Sequence, residues 1–231
     1  MIGILGGMGT HAGLDFCNKL AMLNRGKIDQ KYPLFILYNK SNIPGRPENL
    51  HKYNKVLKSL NTGCLLLQKN KCKFIVIPCN TAHYWYDDLQ RKIKIPIVSM
   101  PKEVYLHVKK NCKKNSKIGI LATEATLKTR VYNKFFDKNF TLINPTKSLQ
   151  IKSVNIAIKY IKMGKIKDAA KVIKPAINYL IKLKCNKIIL GCTELPIAIF
   201  AFKSLKKAKQ SKIFIDPNLL LAEVSMKKYK K

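Results

Sequence analysis

The thiols of Cys79 and Cys192 are the groups in this chain whose setting best suits chemistry. Each closes a short apolar run, in KCKFIVIPCNT at 71–81 and in KCNKIILGCTE at 184–194. Each run also begins Lys-Cys, so Cys72 and Cys79 correspond to Cys185 and Cys192 at an offset of 113. Asn80, Thr81 and Thr193 follow the terminal thiols and are helix-start residues. A helix starting there aims free N–H groups and the positive end of its dipole at the strand end. Such a setting cradles a carboxylate and draws a nearby thiol toward thiolate. Two thiols on opposite sides of a small molecule, one basic and one acidic, can take a proton from one face of a carbon and return one to the other. That is racemisation. A lone cysteine ending an apolar strand is ordinarily core packing; two in polar contexts, related by a repeat, favour function.

The elements that must hold these thiols are legible as alternating segments. Apolar, β-branched runs at 2–7, 34–39, 74–79, 95–100, 118–123, 187–192 and 213–216 read as strands. Stretches 49–69, 81–93, 147–163 and 165–183 carry helical periodicity. Continuous apolar strands joined by helices indicate parallel sheets covered on both faces, an α/β fold. IGIL at 2–5 recurs at 118–121, each time before small residues and a helix. The chain therefore reads as two similar α/β halves: 1–100, completed by a returning tail at 207–231, and 101–206, with the break near 100–116. Ligands collect beyond the carboxyl ends of parallel strands. Cys79 and Cys192 stand at those ends, whereas Cys72 and Cys185 stand at strand starts and read as small buried hydrophobes, as do Cys17, Cys64 and Cys112.

Composition narrows the alternatives. The formal charge of +33 invites a nucleic-acid reading. Yet only Arg25, Arg46, Arg91 and Arg130 are arginines, and the lysines are spread almost evenly. Specific nucleic-acid sites concentrate arginine and aromatics. Solvated lysine faces, open to nonspecific polyanions and favouring small anionic ligands, are the expectation; no specific nucleic-acid partner is expected. Seven dispersed cysteines without a CxxC support neither a disulfide framework nor a metal site. No apolar run reaches the roughly 18 to 20 residues of a membrane span, and the N-terminus lacks signal-peptide character, so a cytoplasmic address without membrane association is expected. Gly7, Gly9 and Ala12 satisfy the permissive dinucleotide fingerprint, which keeps a nucleotide-binding oxidoreductase as a competing reading. No acidic residue ends the second strand to hold a ribose, and that reading leaves both cysteine motifs unexplained.

GGMGT, NIPGR, IVIPCNTAH, GILAT and IILGCTELP, in this order and continuing through FIDPNLLLAE, resemble the cofactor-independent aspartate/glutamate racemases. They are most similar to the aspartate racemase branch. The resemblance implies two pseudo-symmetric α/β domains with the active site in the cleft between them, no pyridoxal phosphate or other cofactor, and a homodimer. It implies that Cys79 and Cys192 are the paired acid and base. Asn80, Thr81 and Thr193 would hold the α-carboxylate and amine, and Thr123 would line the same cleft. Arg46 matches the arginine that suits a bidentate grip on a side-chain carboxylate, and Lys162 a lysine that supports charge recognition. Glu194 stands where glutamate racemases typically carry histidine, which favours aspartate over glutamate or a broader range. The chain departs from the family pattern at Thr10, Gly13, Gly45 and Ala125.

Overall fold

The computed structural model describes residues 1–24, 28–136, 138–201 and 212–230. The chain divides into two compact units, Met1–Glu103 with Asn218–Lys231, and Val104–Pro217. Among the described residues no helix is long and apolar enough to cross a membrane.

In the first unit, β1 (Ile2–Gly6), α1 (Thr10–Leu23), β2 (Phe35–Asn39), α2 (Tyr53–Lys69) and β3 (Phe74–Val76) are followed by a 3-10 turn at Thr81–Trp85. Then come α3 (Tyr86–Lys92), β4 (Ile97–Val98) and the start of α4 (Met100–Asn111). The four strands are parallel in the order β2-β1-β3-β4. The period of two along β1 divides its side chains between two cores. Ile2 and Ile4 pack with Phe16 and Leu20 of α1 and with Leu221 of the C-terminal helix Pro217–Tyr229. Leu5 packs on the other face with Val56, Leu60 and Leu67 of α2 and Leu89 of α3. Covering both faces is what makes these strands read as unbroken apolar runs.

The second unit repeats the plan. β5 (Ser116–Ala122), α5 (Glu124–Lys128) and β6 (Phe140–Ile143) lead into a helical stretch built of α6 (Lys147–Leu149), a π-helical turn Gln150–Asn155 and α7 (Ile156–Lys162). After α8 (Ile166–Val172) and α9 (Lys174–Lys182) come β7 (Lys187–Gly191), α10 (Leu195–Ala201) and β8 (Phe214–Ile215). The sheet order β6-β5-β7-β8, all parallel, is the order of the first sheet with β5 in the place of β1 and β7 in the place of β3.

The repeated Lys-Cys pairs have a common backbone role. Lys71 and Lys184 have φ of 58° and 60°, in the left-handed region that closes a helix. The next amides then reach back five residues, Cys72 N to Leu67 O at 3.3 Å and Cys185 N to Leu180 O at 3.1 Å. Both cysteines are buried, at 3% and 5% exposure.

Three features differ from the sequence expectation. The tail at 207–231 was expected to complete the first half, but its strand, β8, hydrogen-bonds to β7 in the second sheet; only the helix after it packs in the first unit. Residues 207–211 lie outside the described residues. The expected break near 100–116 does contain the division between the units, at Glu103–Val104, but it takes the form of the helix α4, whose Pro101 sits in the first turn, where a missing N–H costs nothing. β6 carries little strand signal in the sequence, because FTLI is four residues long with a polar second position and ends before Asn-Pro.

Candidate active site

At the carboxyl edge of the first sheet the chain leaves β1 through Gly7, where φ is +90° and any Cβ would lie 2.3 Å from the Lys40 carbonyl. Only glycine fits there. This packing accounts for one glycine of the dinucleotide-like fingerprint without a ligand. The next residue, Met8, offers its carbonyl to Arg46 Nη2 at 2.7 Å, and Arg46 Nη1 donates to Pro44 O at 3.4 Å. The Arg46 loop is thereby tied to the loop after β1. Among the described residues Arg46 Nε has no hydrogen-bond partner and no carboxylate pairs with the guanidinium. Among the described residues its hydrogen bonds go to carbonyl oxygens alone, so an anion placed beside it would be strongly favoured.

β3 stands beside β1 and delivers Cys79, Asn80 and Thr81, which are 5%, 3% and 6% exposed. Ile4 lies opposite Val76 in the parallel pairing of β1 and β3, so the residues that follow the two strands, Met8 and Cys79 among them, leave the same end of the sheet. The helix expected at Asn80–Thr81 opens as the 3-10 turn and becomes α-helical only at Tyr86. Sequence reasoning missed the residue that fixes this loop. His83 is buried, its Nδ1 contacts Cys79 O at 2.9 Å, and its Nε2 accepts from Met100 N at 3.0 Å. An Nε2 that accepts carries no proton, so the ring is neutral and Nδ1–H donates to the carbonyl of Cys79. Burial pulls its pKa from 6.5 to about 4. A histidine four residues after the cysteine was the available signal.

The second unit builds its edge from β5 and β7, which lie in register with Ala122 opposite Gly191. The residues just beyond are Thr123 and Cys192, which places these two expected site residues side by side. Thr123 caps α5, its Oγ1 accepting from Thr126 N at 3.2 Å and lying 3.0 Å from Thr126 Oγ1. Cys192, Thr193 and Glu194 are all buried, and Cys192 Sγ donates to Glu194 Oε2 at 3.0 Å. Thr193 Oγ1 donates to the same oxygen at 3.3 Å. Lys162, exposed at the end of α7, is close enough for its charge to act on Cys192.

The expectation of a thiol drawn toward thiolate fails at Cys192. Its pKa is raised well above the ordinary thiol value, first by burial and then by the charge and hydrogen bond of Glu194, with Lys162 pulling in the opposite direction. The helix that follows, α10, begins only at Leu195, so the carboxylate two residues on dominates the local field. Glu194 was visible in the sequence, but its contact with the thiol depends on the tight turn in which Leu195 N donates to Cys192 O at 3.0 Å.

The expected site residues thus fall into two groups: Arg46, Cys79, Asn80 and Thr81 in the first unit, and Thr123, Lys162, Cys192 and Thr193 in the second. All seven cysteines are free thiols. Among the described residues no group of three or more His, Cys, Asp or Glu could hold a metal ion.

Comparison with known proteins identifies the family. Residues 5–224 match the family described as Asp/Glu/Hydantoin racemase. The broad specificity amino-acid racemase RacX of Bacillus subtilis is 27% identical over 202 residues, 84% of this chain and 86% of that protein. A glutamate racemase of Sulfurihydrogenibium is 29% identical over 180 residues, 76% of this chain and 66% of that protein. Among solved structures, Picrophilus torridus aspartate racemase superposes with a TM-score of 0.83 at 29% identity, covering 100% of this chain and 94% of that one.

Proposed function

Since the chain belongs to the Asp/Glu/hydantoin racemase family and is an amino-acid racemase, we propose that it interconverts L- and D-aspartate, with Cys79 and Cys192 as the two proton-transfer groups. The observation that carries this reading is the repeat itself. Two parallel sheets of identical strand order each deliver one thiol and a polar neighbour at the carboxyl end of the equivalent strand.

In the proposed reaction one thiolate takes the α-proton while the other thiol gives a proton to the opposite face of the same carbon. The assignment of starting roles follows from Glu194. A thiol hydrogen-bonded to a buried carboxylate holds its proton, so Cys192 is the acid and Cys79 the base for one enantiomer, and the roles exchange for the other. After transfer, a Cys192 thiolate beside the Glu194 carboxylate is a repelling pair. That repulsion favours return of a proton to Cys192 while Cys79 gives up the proton it took from the carbon, and the two transfers together reset the site. Arg46 grips the side-chain carboxylate with the donors its two carbonyl tethers leave free. Asn80, Thr81, Thr193 and Thr123 hold the α-carboxylate and amine, and Lys162 adds positive charge around the anionic substrate. The chemistry needs no pyridoxal phosphate. A homodimer is the proposed assembly, checked by light scattering of the purified protein.

In deuterated water, L-aspartate should lose optical activity and gain deuterium at Cα with the wild type. Cys79→Ser and Cys192→Ser should each abolish racemisation, since a full turnover uses both thiols. Near-wild-type racemisation by either variant overturns the two-thiol mechanism. A second reading within the family, broad specificity or glutamate, is favoured by the 84% of this chain that aligns with RacX. It is separated by running aspartate, glutamate and neutral amino acids in both enantiomers.

A further inference from the structure

Gln150 opens the π-helical turn that follows α6 and is only 6% exposed. Its amide nitrogen is fully committed. Nε2 donates to Ala122 O at 2.9 Å and to Asn155 Oδ1 at 2.8 Å. Both partners are acceptors, so the amide has one orientation; turning it over would set oxygen against oxygen. The other end is different. Gln150 Oε1 is buried and has no hydrogen-bond partner among the described residues. A buried acceptor left unmade is costly, and native folds pair most such groups, so this one calls for a partner.

The place of this acceptor and its polarisation indicate what it meets. Ala122 is the last residue of β5, past the end of the pairing with β6, which stops at Ile143 opposite Gly119. On the other side Ala122 lies opposite Gly191, the residue before Cys192. The Gln150 amide is therefore fastened to the strand end that carries Thr123 beside Cys192. Behind it runs a chain of donors toward a charge. Asn155 Nδ2 donates to Glu124 Oε1 at 2.7 Å, and Asn155 Oδ1 receives Gln150 Nε2. Glu124 is 45% exposed and only loosely paired, with Lys128 Nζ at 3.7 Å. A carboxylate pulling through two amides in series pushes electron density onto the far oxygen. That oxygen is better suited to a cation than to a neutral donor.

We propose that Gln150 Oε1 accepts a hydrogen bond from the α-ammonium group of the amino-acid substrate, with Asn155 and Glu124 as the relay that polarises it. This rests on the racemase reading of the same site and adds a binding residue to it. The π-helical turn is then the device that sets the amide of residue 150 and its partner at 155 against the end of β5.

The test compares two dicarboxylates that differ in the ammonium group. L-Aspartate and succinate are titrated calorimetrically into wild type, Gln150→Met and Glu124→Gln, and aspartate racemisation is measured in parallel. Gln150→Met should weaken aspartate about 10-fold or more, the effect of losing a hydrogen bond to a charged group, and leave succinate within about 2-fold. Glu124→Gln, on an exposed side chain that leaves the buried amides in place, should weaken aspartate in the same sense but less, again sparing succinate. Equal weakening of both ligands, or unchanged aspartate binding in Gln150→Met, overturns the proposal. So does a wild type that binds succinate as tightly as aspartate. Aspartate that binds with the expected ammonium preference but is not racemised overturns aspartate as the substrate and leaves the ammonium contact standing; a wild type that binds no aspartate overturns both.

Discussion

Replacing His83 by glutamine and then lowering the pH probes how the Cys79 loop is held. In the folded protein the ring is 7% exposed, with Nε2 accepting from the Met100 amide at 3.0 Å. Protonation would place a second hydrogen against that N–H in a buried site. The folded pKa therefore falls from 6.5 to about 4, through burial above all. The unfolded chain takes its proton as the pH drops through 6.5, while the folded chain resists down to about 4. The stability contributed by the neutral ring is complete above the unfolded value and is lost across this window. At 1.36 kcal/mol per unit, a depression of this size is worth about 3 kcal/mol. Trp85, the chain's single tryptophan, is fully buried two residues away and reports on this unit. Urea unfolding followed by its fluorescence should show wild type losing about 3 kcal/mol more than His83→Gln between pH 7.5 and 4. At pH 7.5 the variant itself should be less stable by about 1–2 kcal/mol, from the disturbed bonds to Cys79 and Met100. Equal pH slopes for the two proteins would refute the buried neutral ring.

Two further outcomes follow from local geometry. Glu194→Gln removes the carboxylate that raises the Cys192 pKa, so alkylation of Cys192 by iodoacetamide at fixed pH, read by peptide mass spectrometry, should be faster than in wild type; an unchanged rate would contradict the thiol–carboxylate contact. Lys71→Gly and Lys184→Gly place glycine at exposed positions of φ 58° and 60°, and each should raise stability by about 0.5–1 kcal/mol in urea unfolding followed by circular dichroism.

The sequence by itself determined the α/β class, the internal repeat and the thiols that end equivalent strands. These are local signals: continuous apolar runs follow from burial on both sheet faces, and the second IGIL marks β5 as the counterpart of β1. It also separated Cys72 and Cys185 from the chemistry, since residues at the starts of strands lie away from the edge where ligands collect. What only the tertiary structure decided depends on partners distant in sequence or on turns that pattern does not encode. β8 joins the second sheet because its hydrogen-bonding edge is β7. Met8, 38 residues away in the chain, supplies the carbonyl that ties down Arg46. His83 is neutral because Met100, 17 residues on, faces its Nε2. Glu194, read in the sequence as a clue to substrate choice, becomes the group that keeps Cys192 protonated once the turn folds its carboxylate back onto the sulfur. A strand-end thiol can be read from pattern, but its protonation state is set by the charges and burial around it, and those exist only after the chain has packed.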